Sequence, residues 1–214
     1  KWAKLNKKAF HYSSENITVE DVINSGLISS PLHKLDCCLV TDGGGAVLIT
    51  NDKIADKLGL PKIKINGFGQ IDTHISYSQM PNYLITGAKA SSEEALKQSK
   101  MNFNDIDTLQ VYDSFTITVL STLASIGVDE PKHIIEMFRD GEFFQGGKLP
   151  LNTSGGGLSY CHPGMLGLLL VVEAVNQLIG NLGERQVPDA STAFVHGTGG
   201  VFSTHSSMVL ERVT

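Results

Sequence analysis

The chain is organised around the stretch Leu149-Pro-Leu-Asn-Thr-Ser-Gly-Gly-Gly-Leu-Ser-Tyr-Cys-His-Pro-Gly-Met-Leu-Gly167. Its three consecutive glycines allow left-handed backbone or a close approach to a ligand. Pro163 suits the first turn of a helix, and a helix start would offer free N–H groups to an anion or a developing oxyanion. Tyr160 and His162 at this junction are therefore candidate acid/base groups. The alternative is a Gly-rich turn with a capping histidine.

Downstream of this stretch, the sequence predicts a helix from Pro163 to Gly180 that is apolar nearly all round. Its internal polar residues, Glu173, Asn176 and Gln177, share one narrow face at spacings of three and four. A helix with this pattern is buried between layers, so its start points into the protein. This favours a functional role for His162.

Strands are predicted on both sides of the central stretch. Residues Ile106 to Tyr112 form a strand that stops at Tyr112-Asp-Ser-Phe115, just before a helix from Ser114 to Ile126. Open α/β sheets place ligand groups at such strand ends. Downstream, the Gly-rich connection Gly197–Gly200 separates two apolar strands and predicts a hairpin, which brings His196 to a strand end as well.

The remaining elements follow from caps and alternation. The long segment Gln70 to Ala88 is predicted to be a loop, interpreted as the lining of a substrate channel. The predicted helices and strands are: helix Thr18–Gly26, strand Ala46–Thr50, helix Asn51–Leu58, strand Pro61–Gly69, helix Ser91–Lys100, helix Pro131–Arg139, strand Ser191–His196 and strand Val201–Leu210.

Composition narrows the class of protein. The 214 residues are 41% hydrophobic with a net charge of −5, which gives no support for nucleic-acid binding. Three cysteines, two of them adjacent at 37 and 38, make neither a disulfide framework nor a metal-binding spacing, so a cytoplasmic location is expected. The most apolar run, Met165 to Val172, is too short to span a membrane. Because the chain lacks a starting Met, we expect a processed or truncated N-terminus.

Three motifs in fixed order carry a family resemblance: Tyr112-Asp-Ser-Phe115, Asn152-Thr-Ser-Gly-Gly-Gly-Leu-Ser-Tyr-Cys-His-Pro-Gly164 and His196-Gly-Thr-Gly-Gly200. Together they resemble the C-terminal half of the thiolase superfamily, in the sterol-carrier/lipid-transfer thiolase-like branch with its steroid side-chain aldolases. The resemblance implies an α/β thiolase-like fold, a mixed five-stranded sheet covered by helices with a buried central helix. Residues 1–60 would be the remnant of the N-terminal half and 61–214 the C-terminal domain. The half that carries the family's nucleophilic Cys has no counterpart here.

The resemblance also implies roles for individual residues. Tyr112 stands at the family's Asn position, Cys161-His162-Pro163 at its Gly-His-Pro box, and His196 at its second Cys position. Tyr112 and Tyr160 would then serve a retro-aldol cleavage, one deprotonating a β-hydroxyl and the other handling the enolate proton. His162 would donate to the enolate oxygen or act as base, and His196 would assist the site or only hold its turn. Tyr112 as a packing residue and Tyr160 as a partner of the loop are the structural alternatives.

Three functions remain open from sequence. The first is an aldolase-type lyase acting on a β-hydroxyacyl-CoA, the second a thiolase-type acyltransferase, and the third a non-catalytic subunit that binds acyl-CoA or lipid. The resemblance implies coenzyme A as part of the substrate, no metal in this chain, a homodimer at full length and a small zinc-ribbon/OB-type partner subunit. The candidate residues for coenzyme A are Ser154, Gly155, Gly156 and Gly199.

Overall fold

A computed structural model describes residues 1–80 and 82–213. The strands are β1 (Leu27–Ser29), β2 (Leu32–His33), β3 (Lys62–Asp72), β4 (Thr108–Val111), β5 (Thr192–Gly199) and β6 (Thr204–Val213). The helices are α1 (Val19–Asn24), α2 (Asp52–Leu58), α3 (Ala88–Ser99), α4 (Thr116–Ile126), α5 (Pro131–Asp140), α6 (Gly156–Ser159) and α7 (Gly167–Ile179). In the described part of the chain, no helix combines the length and apolarity needed to cross a membrane.

The main sheet is mixed and has four strands in the order β3-β6-β5-β4, where five were predicted. β3, β6 and β5 pair antiparallel, while β5 and β4 pair parallel. The place of a fifth strand is taken by one parallel bridge between Leu109 and Leu151. It cannot lengthen, because Pro150 has no N–H to donate and Asn152 turns left-handed at φ 48°.

Helices cover both faces of this sheet, as predicted. On one face, α3 and α4 pack with Leu109, Val111 and Phe194 in a buried cluster. On the other, α7 packs with Ala193 and Val195. Neighbouring residues of β5 therefore enter opposite cores, as the period of two in a strand requires.

The helix predicted from Pro163 begins instead at Gly167. Gly164 adopts a left-handed φ of 82°, which interrupts helical backbone between the proline and α7. Glu173 and Gln177 of α7 are buried, whereas Leu168 is 44% exposed. Polar residues therefore occupy part of the side of the helix that faces the protein, where hydrogen bonds satisfy them.

Two predicted N-terminal caps are confirmed, whereas the start of α3, like that of α7, differs from the prediction. Thr18 and Asp21 form the capping box of α1, and Asn51 accepts a hydrogen bond from the Ile54 N–H at the start of α2. Helix α3 begins at Ala88 rather than at the two serines. The Ser91 and Ser92 hydroxyls donate back to carbonyls of the preceding turn, so they lie inside the helix.

The strand predicted at Ala46–Thr50 is not paired in the part of the chain that the structure describes; these residues are exposed and form neither helix nor strand. An apolar segment becomes a strand only beside a partner that takes its backbone hydrogen bonds, and none lies next to it here. The boundary between residues 60 and 61 stays a prediction.

Candidate functional site

Tyr112 and His162 are brought together at the end of β4. Tyr112 Oη lies 2.8 Å from His162 Nε2, and the two rings meet edge to face with centroids 5.6 Å apart. The Tyr112 N–H donates to the His196 carbonyl (3.0 Å), which continues the pairing of β4 with β5 past the last strand residue. Both side chains are only partly buried. The structure therefore holds a phenol and an imidazole in hydrogen-bond contact, both partly exposed to solvent.

His162 is fixed by a segment from far upstream rather than by a helix start. Its N–H donates to Thr41 Oγ1 (2.9 Å), and the Thr41 N–H donates to the His162 carbonyl (3.4 Å). The same extended segment, residues 37–42, donates the Cys38 N–H to the Ser114 carbonyl and the Leu39 N–H to the Gly157 carbonyl. Helix α7 begins five residues later, at Gly167, so the prediction of a helix start beside His162 is wrong.

The Asp113 carboxylate is a site feature that sequence reasoning missed. It is 2% exposed and accepts hydrogen bonds from the N–H groups of Gly157 (2.7 Å) and Leu158 (3.2 Å). Burial raises the pKa of the Asp113 carboxyl to about 7, although these two N–H groups work in the opposite direction. The available sequence signal for Asp113 was an acidic residue directly after a predicted strand, in a chain whose three consecutive glycines could offer backbone N–H groups to it.

The surroundings of Tyr112 keep it a phenol. Burial raises the pKa of Tyr112 above its ordinary value, with smaller contributions from Cys38 and Asp113, while the Leu166 backbone N–H lowers it. A phenol with a raised pKa is a poor base alone. Paired with an imidazole that accepts its proton, it can take a proton from a substrate hydroxyl. That arrangement requires the His162 tautomer with Nδ1 protonated, because Nε2 must then accept.

Tyr160 has different neighbours. Its backbone N–H donates to the Gly156 carbonyl (2.8 Å), and its carbonyl accepts from the Phe10 N–H (3.1 Å). Burial raises the pKa of Tyr160, with further contributions from the charges of Cys161 and Glu173 and an opposing one from Arg185. Within residues 1–80 and 82–213, its hydroxyl makes no hydrogen bond to Tyr112 or His162. Its role in chemistry stays a prediction.

The His196 side chain lies elsewhere, in a closed hydrogen-bond chain between β5, β6 and α3. Its Nε2 lies 3.3 Å from His205 Nδ1 and its Nδ1 lies 2.9 Å from Ser207 Oγ, which is 2.9 Å from Ser91 Oγ. His205 Nε2 lies 2.9 Å from the Phe202 carbonyl and must donate to it. It follows that His196 donates to His205 and accepts from Ser207, with both rings neutral. Burial, and next the neighbouring His205, lower the pKa of His196 to about 3.

The residues predicted to contact coenzyme A are mostly engaged internally. The Ser154 carbonyl accepts from Asn6 Nδ2 (2.8 Å), and Ser154 Oγ accepts from the Gly156 N–H (3.2 Å). Gly155 approaches Ala3, and Gly156 approaches the Asp113 carboxylate. Gly199 lies at the end of β5, paired with Thr204 of β6. In the described ranges, no group of three or more His, Cys, Asp or Glu side chains is arranged to hold a metal ion.

Comparison with known proteins identifies the family. The family model described as "Thiolase C-terminal domain-like" matches residues 69–212. The chain therefore belongs to the thiolase superfamily, and the resemblance predicted from its three motifs is confirmed.

Individual relatives span the chemistries considered from sequence. The chain is 36% identical to a steroid side-chain-cleaving aldolase of Thermomonospora curvata, over 93% of this chain and 51% of that protein. It is 31% identical to an acetyl-CoA acetyltransferase of Methanothermobacter thermautotrophicus, over 92% of this chain and 52% of that protein. The solved Ltp2-ChsH2(DUF35) aldolase matches with a TM-score of 0.87 and 30% identity, over 99% of this chain and 55% of that one. The chain thus spans about half the length of these relatives.

Proposed function

We propose that the protein containing this chain cleaves a β-hydroxyacyl-CoA by a retro-aldol reaction. The observation that carries this proposal is the 2.8 Å contact between the partly exposed side chains of Tyr112 (Oη) and His162 (Nε2) just after β4. Retro-aldol cleavage needs a group that takes the β-hydroxyl proton and returns a proton to the carbon of the resulting enolate. A phenol with an imidazole behind it can take the β-hydroxyl proton, and Tyr160 is the proposed source of the proton for the enolate carbon.

The proton and electron movements balance without any co-reactant. The β-hydroxyl proton passes to the Tyr112 oxygen as the Tyr112 proton passes to His162 Nε2. The Cα–Cβ bond breaks, its electron pair forms the enolate of the shortened acyl-CoA, and the β-carbon becomes a carbonyl. Tyr160, the proposed donor, protonates the enolate carbon, and the proton held on His162 then passes through solvent to the Tyr160 phenolate, which restores both side chains. Stabilising the enolate oxygen calls for preorganised donors next to the thioester.

Thiolase-type acyl transfer is the second candidate, supported by the retained His162 and by the acetyl-CoA acetyltransferase relative. It is disfavoured because the family's second Cys position carries His196, whose side chain is fully buried and fully hydrogen-bonded. A non-catalytic acyl-CoA or lipid-binding subunit is the third candidate; it gives no reason for a Tyr–His contact at an open strand end.

The wider assembly follows from the same proposal. We propose coenzyme A as the carrier of the acyl group, a homodimer at natural length, and a cytoplasmic location. A small zinc-ribbon/OB-type partner subunit is supported by the two-component name of the matching Ltp2-ChsH2(DUF35) aldolase. Residues 1–60 would belong to the N-terminal half and 61–214 to the C-terminal domain.

Two incubations of the full-length protein separate the candidates. In the first, a β-hydroxyacyl-CoA is supplied without free CoA; in the second, a β-ketoacyl-CoA is supplied with free CoA. We expect cleavage in the first only, with a shortened acyl-CoA and a carbonyl product detected by mass spectrometry. Cleavage in the second only would identify a thiolase, and binding without cleavage in either would identify the non-catalytic subunit.

A further inference from the structure

The Gly-rich loop is tied at two points to the residues that flank Tyr112. Before Tyr112, the side chain of Asn152 accepts from the Val111 N–H (2.8 Å) and donates to the Val111 carbonyl (3.0 Å). After it, the Asp113 carboxylate accepts from the N–H groups of Gly157 and Leu158. The loop is thus hydrogen-bonded to the segment Val111–Asp113, which carries the Tyr112 side chain.

Glycine is required for this contact at Gly156. Its φ is +63°, and a Cβ there would overlap Asp113 Oδ2. A Cβ at Gly157 would lie 3.0 Å from His162 Cδ2 and 3.1 Å from Asp113 Oδ1. The loop backbone therefore lies between the buried carboxylate and the imidazole, with no room for a side chain at Gly156 and a tight fit for one at Gly157. If the loop shifts where it contacts Asp113, the position of the His162 imidazole must change as well.

We propose that Asp113 is the positioning residue of the Tyr112–His162 pair. Its carboxylate fixes the amides of Gly157 and Leu158, and the chain from Leu158 carries His162 to Tyr112. Two adjacent residues thus contact the same loop at two places. Asp113 binds the loop's backbone N–H groups, and Tyr112 binds the imidazole of His162. When Asp113 is ionised, its two hydrogen bonds from backbone N–H groups are charge-assisted and stronger than neutral ones.

A matched pair of variants tests this inference. Asp113→Asn keeps the size of the side chain but turns an NH₂ group toward one of the two N–H donors. Asp107→Asn removes the charge of a second carboxylate, at the opposite end of β4, whose single oxygen Oδ2 accepts the Ser191 and Thr192 N–H groups (2.8 and 2.9 Å). Both variants lose a carboxylate that binds backbone amides, and only the first lies at the site.

The first readout is independent of turnover. In the full-length protein with 15N-labelled histidine, we expect Asp113→Asn to move the His162 imidazole resonances and Asp107→Asn to leave them unchanged. Unchanged His162 resonances in folded Asp113→Asn, or an equal change in Asp107→Asn, would overturn the inference. Because no substrate is involved, this result stands even where the proposed retro-aldol function fails.

The second readout rests on the proposed function. We expect kcat for β-hydroxyacyl-CoA cleavage to fall between about tenfold and a hundredfold in Asp113→Asn with little change in KM, since misplacement of a reacting group costs that much. Asp107→Asn should keep kcat. Equal kcat losses in the two variants would show a merely structural role.

A second pair covers the case in which Asp113→Asn does not fold. Gly156→Ala and Gly180→Ala both place a methyl group on left-handed backbone, at φ +63° and +87°. Only the first methyl meets Asp113; nothing lies within 4 Å of the second. We expect displaced His162 resonances in Gly156→Ala alone, and unchanged resonances there would contradict the inference.

Discussion

His162 and His196 stand on comparable motifs, yet the structure puts them in opposite situations. His162 meets one phenol in a partly open setting and is held through its backbone. His196 is 0% exposed, and both ring nitrogens are used within the protein. The backbone connects the two sites, since the His196 carbonyl accepts from the Tyr112 N–H.

A motif specifies which residue type is present, and the fold decides whether its side chain is exposed or enclosed. In β5, the alternation of side chains sends His196 into the hydrogen-bond chain with His205 on the face covered by α3. Tyr112 packs with the cluster on the α7 face instead. His196 also lies inside β5 (Thr192–Gly199), so the prediction that it reaches a strand end is wrong, and its side chain is enclosed by the neighbouring elements.

The largest effect should come from breaking the hydrogen bond between Tyr112 and His162. Tyr112→Phe removes the hydroxyl that contacts His162, so we expect β-hydroxyacyl-CoA cleavage to fall by about 10²- to 10⁴-fold, the usual contribution of a general acid or base. The thermal midpoint should change little. Tyr12→Phe, at an exposed tyrosine away from the pair, is the control and should retain full activity. A Tyr112→Phe protein that cleaves at the normal rate would remove the pair from the mechanism.

The buried pair of His196 and His205 should make the free energy of unfolding depend on pH in the acid range. Unfolded His196 titrates near its ordinary value of 6.5 and folded His196 near 3, so between these values only the unfolded state binds the proton. Stability is therefore present above about pH 6.5 and is lost as pH falls, by up to about 1.4 kcal/mol per pH unit.

Asp113 acts in the opposite direction over part of this range. Its pKa is raised from 3.8 to about 7, so between these values the folded state binds more protons and stability rises as pH falls. We expect urea unfolding from pH 7 to 5 to show a steeper loss of free energy of unfolding in Asp113→Asn than in the natural sequence. His196→Gln should show a shallower one. Equal slopes in Asp113→Asn and the natural sequence would contradict these titrations.

The smallest effect should come from the contact that holds His162 in place. Thr41→Val keeps the shape but removes the oxygen that accepts the His162 N–H, a loss worth about 1 kcal/mol. We expect kcat/KM to fall roughly fivefold, as that energy implies. Ser25→Ala removes a similar hydroxyl, which accepts the Leu35 N–H, and should leave kcat/KM unchanged. Equal losses in both would show that the effect is not specific to His162.

Local signals in the sequence predicted much of the fold, and the misses have physical causes. The caps at Thr18 and Asn51 report on their own turns, so they could be read without tertiary context. The start of α7 was misplaced because the left-handed Gly164 separates Pro163 from the helix, and a sequence does not give φ. The predicted fifth strand is absent from the described sheet because Pro150 has no N–H to donate and Asn152 is left-handed.

The site was predicted in part for the same reason. The sequence singled out Tyr112 and His162, which the structure joins. It did not find Asp113, because a carboxylate is significant there only through burial and two distant amides. It also could not distinguish His196 from His162, because the closed chain to His205 and Ser207 depends on strand register.

The contact between Thr41 and His162 joins residues 121 positions apart in the chain. Closing a loop of that length costs entropy that must be offset before the contact contributes, and contacts of long sequence separation slow folding. The geometry of the Tyr112–His162 pair should therefore be completed late, after the hairpin of β5 and β6. During refolding, we expect helical circular dichroism to recover before cleavage activity does. Simultaneous recovery would show that the upstream segment docks with the first compact structure.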